Sequence, residues 1–289
     1  MRITIVEIIN LPLDMQNIAL SLLKQNKTIG FTPTMGALHD GHLSLIRRSL
    51  ADTDKTIVSI FVNPTQFAPS EDLNKYPRPI EDDINNLKKL NVDYLFLPDA
   101  KDIYPSNYST YVTVENITNK LCGLSRPNHF RGVTTICTKL FHITLPTISY
   151  FGQKDYQQSL IVKRLVKDLN IPTTIKILPI ARDSDGLALS SRNVYLSEKE
   201  RIESTNLYKS LQNAETIIQK GEKNCQFIKE TIKNHLTKTP MIKIDYISIC
   251  NPDTLEEVDQ LDKGEVLIAI AAYLGKTRLI DNSLIQVSN

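Results

Sequence analysis

The chain has 289 residues, of which 41% are hydrophobic; its 34 Lys and Arg against 32 Asp and Glu give a formal net charge of +2. That length allows one large domain or two ordinary ones, and the interspersed charges leave no footprint of a nucleic-acid binder. Cys122, Cys137, Cys225 and Cys250 lie far apart and form no C-x-x-C pair, which argues against structural zinc and for reduced thiols.

Met1-Arg2-Ile3-Thr4 begins a short strand-like run without the charged start, apolar stretch and cleavage site of a signal peptide. A helical pattern follows over 13–25, then a strand over 28–32, a helix over 43–51, a strand over 56–62 and a helix over 81–90. The series continues with a strand over 94–97, a helix over 133–141, a strand over 148–151, a helix over 156–169 and a strand over 173–178. Such alternation predicts an α/β protein with a mostly parallel sheet covered by helices on both faces.

The last hundred or so residues read differently. Ser197 and Glu200 have the spacing of a capping box, so a helix is expected to start there. Helical patterns run to about Leu236 with a break at Gly221. Strands are expected over 242–249, 266–273 and 277–284, the last two joined as a hairpin through Leu274-Gly275-Lys276. This predicts a smaller α+β C-terminal domain. The boundary is expected near Ala181 to Gly186, dividing the chain into 1–183 and 184–289. The most apolar run, 266–274, is too short to span a bilayer, so the expectation is a cytoplasmic protein with no membrane partner.

The chemistry concentrates after the strand at 28–32, in Thr32-Pro33-Thr34-Met35-Gly36-Ala37-Leu38-His39-Asp40-Gly41-His42. A strand ends, the chain turns, and a helix begins at two histidines three positions apart. A helix N-terminus offers unpaired N–H groups and partial positive charge, so it favours phosphate. Imidazoles placed there can donate hydrogen bonds to phosphate oxygens. Gly152-Gln153-Lys154-Asp155 is a second strand–turn–helix candidate of the same kind, with Lys154 as a point charge; a surface turn is the competing reading. Ser190, Ser191 and Arg192, in Gly186-Leu187-Ala188-Leu189-Ser190-Ser191-Arg192-Asn193, pair hydroxyls with a guanidinium that can clamp a triphosphate.

In Phe61-Val62-Asn63-Pro64-Thr65-Gln66-Phe67 two amides end a strand, suited to a small polar substrate or to simple turn chemistry. Arg126-Pro127-Asn128-His129-Phe130-Arg131-Gly132 and Tyr76-Pro77-Arg78 read as loops able to meet an anion. Gly275-Lys276-Thr277 is no P-loop, because Ile270 stands where the first glycine is required; no G-x-G-x-x-G after a strand, H-E-x-x-H or G-x-S-x-G is present.

Six of these motifs, at 33–42, 61–67, 76–78, 126–132, 152–158 and 186–193 in chain order, closely resemble the pantoate–β-alanine ligase family of the H-I-G-H nucleotidyltransferase superfamily. The resemblance implies a Rossmann-like N-terminal domain, a smaller C-terminal domain closing over ATP, a homodimer and Mg2+ with ATP as co-substrate. It implies condensation of pantoate with β-alanine to give pantothenate, AMP and pyrophosphate through a pantoyl adenylate.

Carried onto this chain, the resemblance makes His39, His42, Lys154, Ser190 and Arg192 the catalytic set. It adds Met35, Gly36, Ala37, Leu38, Asp40, Gly41, Gly152, Gln153, Asp155, Ala181, Leu189 and Ser191 as ATP contacts. Gln66 and Gln158 are expected to hold pantoate, with Asn63, Met35, His129, Ile136 and Cys137 around it. The metal ligands are left unassigned. Gln153 stands where many relatives have Glu, Thr65 where Met is frequent, and Asn128 where Gly is usual. Two other readings stay open from sequence: a nucleotidyltransferase whose product keeps the nucleotide, and a non-catalytic nucleotide sensor or RNA-binding module.

Overall fold

A computed structural model describes residues 6–69 and 71–288; the strand-like run Met1 to Thr4 lies outside them. In chain order the elements are β1 (Glu7–Ile9), α1 (Pro12–Lys24), β2 (Ile29–Thr34), α2 (Asp40–Asp52), β3 (Lys55–Ile60), α3 (Ile80–Leu90), β4 (Tyr94–Phe96), α4 (Ala100–Ile103), α5 (Cys122–Ser125), α6 (His129–Thr144), β5 (Ile148–Gly152), α7 (Tyr156–Asp168) and β6 (Thr174–Leu178). They continue with α8 (Glu198–Ser204), α9 (Asn206–Gln219), α10 (Cys225–Thr237), β7 (Ile242–Cys250), β8 (Gly264–Leu274) and β9 (Thr277–Val287). The chain divides into two compact units. One holds the residues up to Thr118 with Gly123–Gly152 and Gln158–Pro179; the other holds Asn119–Cys122, Gln153–Gln157 and Ile180–Asn289.

The larger unit is built on a six-stranded sheet in the order β1-β4-β3-β2-β5-β6, and every registered pair in it is parallel. β2 carries Ile29 and Phe31 fully buried, as a central parallel strand covered on both faces requires. From β2 the chain moves by α2 to β3 on one side, while from β5 it moves by α7 to β6 on the other. The order therefore reverses between β2 and β5, and a ligand crevice is expected beyond their carboxyl ends. The registered β2–β5 pairs are Gly30 with Ile148 and Phe31 with Ser149. Pro33, which has no N–H for a ladder, stands beyond them.

The core under β3 and β4 gathers Val6, Ile46, Val58, Ile60, Leu87, Val92 and Leu95. On another part of the sheet Phe31 meets Phe141 of α6 edge-on at 6.5 Å between ring centres. α6 begins at His129, four residues before the predicted start, so Phe130, Arg131 and Gly132 are helical rather than loop. Asn128, in the place of the usual glycine, adopts φ +67° and ψ −6° at its N-cap. Asn tolerates left-handed backbone better than most residues, so it meets the requirement that glycine would.

The smaller unit has an antiparallel sheet in the order β7-β8-β9. β8 and β9 meet in a two-residue hairpin, with Leu274 paired to Thr277. A core of Leu207, Leu211, Ile228, Ile232, Leu236, Ile268 and Ile270 lies among α9, α10 and the sheet. The capping box is present: the Ser197 N–H donates to Glu200 Oε2 at 2.8 Å and the Glu200 N–H to Ser197 Oγ at 3.4 Å. The helix it starts stops at Ser204. Ser204 and Thr205 turn their hydroxyls back onto the carbonyls of Arg201 and Ile202 at 2.7 and 2.9 Å, and such back-bonding bends helices. Among the described residues no helix is long and apolar enough to cross a membrane.

Candidate active site

Thr34 ends β2 with its hydroxyl donating to the Ser59 carbonyl at 2.8 Å and accepting from the Gly36 N–H at 3.1 Å. The chain then turns through two positive φ angles, +81° at Gly36 and +51° at Ala37. Gly36 suits the first; Ala37 is an L-residue held in a sparsely populated region, which persists only where surroundings impose it. Asp83, on α3 and only 1% exposed, supplies the constraint. Its two carboxylate oxygens accept the N–H groups of Ala37 and Leu38 at 2.8 and 2.7 Å. Burial pushes its pKa up, against the pull of those two N–H groups.

His39 then caps α2. Its Nδ1 accepts from the Gly41 N–H at 3.2 Å, and the His39 N–H donates to Nδ1 of His42 at 3.4 Å. The rings lie 4.1 Å apart between centres, tilted by 38°. A backbone N–H can only donate, so both Nδ1 atoms act as acceptors. The ring proton of each neutral imidazole then sits on Nε2. The cap that starts the helix thus fixes both tautomers.

Beyond β3, Asn63, Pro64–Gln66 and Met35 come together. Asn63 is buried, and its amide donates to Gln66 Oε1 at 3.0 Å and to the Gly132 carbonyl at 3.1 Å. Its oxygen accepts from Tyr104 at 2.9 Å and from the Thr65 hydroxyl at 3.0 Å. With all these partners within the protein, Asn63 serves to orient Gln66. Gln66 Nε2 reaches Met35 Sδ at 3.1 Å. The turn lies so close to α6 that a Cβ on Gly132 would stand 2.5 Å from the Thr65 carbonyl oxygen.

His129 supports Gln66 from the main chain. Arg126 Nη1 lies 3.2 Å from His129 Nε2, and His129 Nδ1 lies 2.8 Å from the Gln66 carbonyl. Guanidinium can only donate, so Nε2 accepts and Nδ1–H donates. Glu71 grips Arg126 with two bonds of 2.6 and 2.8 Å. Burial pushes the Glu71 carboxyl up, but Arg126 and the Ala68 N–H together draw it below its ordinary value. Ile136 and Cys137 are buried on α6, and burial raises the Cys137 thiol to about 12, so it stays neutral. Gln158 stands half-buried in the first turn of α7. Of the arginines expected in loops, Arg78 donates to the carbonyls of Leu73 and Tyr76, and Arg131, in the first turn of α6, lies over the Tyr111 ring at 4.6 Å.

In the smaller unit Gln153–Asp155 forms a 3-10 turn, with Lys154 Nζ 3.7 Å from Asp155. Ala181 accepts from the Leu189 N–H at 3.0 Å, and this pairing carries Ser190 to Arg192. Ser190 Oγ caps the following turn by accepting from the Arg192 N–H at 3.3 Å. Asp281 holds Arg182, next to Ala181, through bonds of 2.7 and 2.9 Å.

Tyr104, Arg182, Asp83, Glu71 and Asp281 of these networks, and Asn282, which bonds the Gln153 and Lys154 carbonyls, carry no site motif of their own in the sequence. Asp83 hides in Glu81-Asp82-Asp83, which reads as ordinary complement to a helix dipole. Glu71 carries no local pattern. Asp281 and Asn282, adjacent polar residues inside an apolar strand, were the available signal, because most buried polar side chains are hydrogen-bonded and two in succession imply partners elsewhere in the chain.

A parallel α/β sheet with a tautomer-fixed imidazole couple at the helix after its switch-point strand defines the class: a nucleotide-handling enzyme of the H-x-x-H type. The family model described as pantoate-beta-alanine ligase matches residues 7–284. A pantothenate synthetase of Thermosipho africanus is 51% identical over 94% of this chain and 97% of its own. The pantothenate synthetase structure from Thermus thermophilus superposes with a TM-score of 0.91 at 36% identity, covering 96% of this chain and 99% of that one. A pantoate-beta-alanine ligase from Francisella tularensis, complexed with beta-gamma ATP and beta-alanine, gives a TM-score of 0.79 at 39% identity, covering 96% and 97%. The chain belongs to the pantoate–β-alanine ligase family. It is a ligase of pantothenate biosynthesis that uses ATP.

Proposed function

We propose that the imidazole couple at the start of α2 holds the triphosphate of ATP while pantoate is activated, and that the fixed Nε2–H groups carry this role. A pantoate carboxylate oxygen attacks the α-phosphorus. The bond from that phosphorus to the bridging oxygen breaks, and pyrophosphate leaves with the electron pair. As charge builds on the bridging oxygen, the Nε2–H groups bind it more strongly than they bind the ground state. Only that increase lowers the barrier. His42 is the donor to the departing oxygen, and Lys154, Ser190 and Arg192 stabilise the remaining phosphate charge. Met35 to His42, Gly152 to Asp155, Ala181 and Leu189 to Arg192 form the nucleotide contacts.

Gln66, oriented by Asn63 and His129, and Gln158 hold the pantoate, with Met35, Ile136 and Cys137 as neighbours. The β-alanine amine then attacks the acyl carbon of the adenylate, the amide forms, AMP leaves and the amine loses a proton. No side chain becomes covalently attached; positioning and charge do the work.

Among the described residues no group of three or more His, Cys, Asp or Glu is placed to hold a metal ion. Magnesium keeps several waters and takes phosphate oxygens as ligands, so the triphosphate itself can carry it; bound there, it would neutralise phosphate charge. A homodimer in the cytoplasm completes the proposal, and sedimentation tests the dimer.

The observation that carries the reading is the pair of Nδ1 acceptor bonds at 3.2 and 3.4 Å. Its test is pantoate-dependent exchange of labelled pyrophosphate into ATP without β-alanine. Exchange that needs pantoate is expected; none from folded, magnesium-supplied enzyme refutes the adenylate route.

A further inference from the structure

Asn282 lies on β9 and is 4% exposed. Its Nδ2 donates to two successive carbonyls, Gln153 at 3.0 Å and Lys154 at 2.9 Å. Its Oδ1 accepts from Gln153 Nε2 at 3.3 Å. One carboxamide therefore grips a three-residue turn at three points. Burying an amide is costly unless it is satisfied, and here its partners all belong to one short turn.

A 3-10 turn of this length has almost no hydrogen-bond ladder of its own. The clamp thus decides the direction in which its backbone sends out the Lys154 stem. A lysine ammonium is a point charge on a flexible four-carbon stem, so its reach depends on where that stem starts.

We propose that Asn282 is a positioning residue for Lys154, setting the turn so that the ammonium meets the phosphates of the nucleotide. The neighbouring residue strengthens the case. Successive strand residues point to opposite faces, and Asp281 turns the other way to hold Arg182. Arg182 also donates to the Gly186 carbonyl at 3.0 Å and lies over the Tyr208 ring at 3.9 Å. One dipeptide of β9 thus fixes the turn of Lys154 and the segment that leads to Ser190 and Arg192.

This inference rests on Lys154 taking phosphate, and a double-mutant cycle separates the two claims. Pyrophosphate–ATP exchange is measured for the parent, Lys154→Ala, Asn282→Ala and the double variant, with KM for ATP and for pantoate. Asn282→Ala is expected to lower kcat/KM for ATP by about 10- to 100-fold, the scale of a misplacement near 1 Å. KM for pantoate is expected to change less than about threefold. In the Lys154→Ala background the same substitution is expected to change the rate by less than about threefold, since residues acting through one another are not additive.

Asn282→Asp, which keeps the shape but loses both donors, is expected to match Asn282→Ala and replaces it in the cycle should the alanine variant fail to fold. Additive effects, or an Asn282 variant within threefold of the parent, overturn the proposal. Parental exchange in Lys154→Ala refutes the phosphate role of Lys154, and the positioning role falls with it.

Discussion

Replacing Asp83 tests whether the H-x-x-H turn is imposed from α3. The carboxylate accepts two main-chain N–H groups, of Ala37 at 2.8 Å and Leu38 at 2.7 Å, and is almost wholly buried. Asp83→Ala leaves both donors without this acceptor, at roughly 1–3 kcal/mol each. Relief of the buried charge, whose cost shows in the raised pKa, offsets part of that. The net expected loss is about 2–4 kcal/mol, with Ala37 free to leave its positive φ and shift His39.

Asp83→Asn is the sharper variant. Its single carbonyl can serve one N–H, while its amide turns a donor toward the other. A role in filling space alone predicts a native-like Asn variant; the acceptor role predicts a loss close to that of alanine.

The pH dependence has a definite sign. A carboxyl with a raised folded pKa contributes stability that is full below its unfolded pKa, near 3.9, and is lost as pH rises through the folded value. Asp83→Asn is expected to remove that downward slope. Thermal melting across pH 3.5–7 and pantoate-dependent exchange at saturating ATP are the assays. An Asn variant with parental melting and parental exchange refutes the reasoning.

His42→Asn keeps an acceptor close to the position of Nδ1 and removes Nε2, so melting is expected to hold while exchange falls by about 10²-fold or more; a near-native rate removes His42 from the chemistry. Glu71→Gln weakens the bidentate grip on Arg126, and its pH signature runs opposite to that of Asp83. The lowered Glu71 pKa means stability present above its unfolded value, near 4.3, and lost as pH falls through the folded one. The glutamine variant is expected to melt less steeply with acid between about pH 5 and 3, with an unchanged slope as the contrary result.

The alternation of the larger unit was legible because its strands are short apolar runs separated by amphipathic helices. The strands over 29–34, 55–60, 94–96, 148–152 and 174–178 fall within a few residues of their predicted bounds. The start of α6 was not, because Arg126-Pro127-Asn128 reads as loop and hides that Asn128 takes the left-handed angle from which a helix can begin. The split of α8 from α9 was hidden for a related reason. Ser204 and Thr205 are neutral in a helical pattern, and only the direction of their hydroxyls turns them into a break.

For the site the division is physical. His39, His42, Lys154, Ser190 and Arg192 belong to local patterns, a strand end followed by a turn with donors or cations, and such patterns survive in one dimension. Asp83, Glu71 and Asn282 act across 45, 55 and 128 positions of chain, and no local periodicity encodes a partner that distant. Yet each does what the legible residues cannot do alone. His39 and His42 can fix their own tautomers through a helix cap, but a cap does not hold the strained turn that aims it. Gln66 can offer an amide, but not the direction of its own backbone. A ligand-facing residue is selected for chemistry that its sequence neighbours set up, and its orientation is delegated to buried polar groups elsewhere in the chain. It follows that substitutions at Asp83 and Asn282 should alter catalysis through the backbone of the site residues they hold, and by more than their loss of stability alone produces.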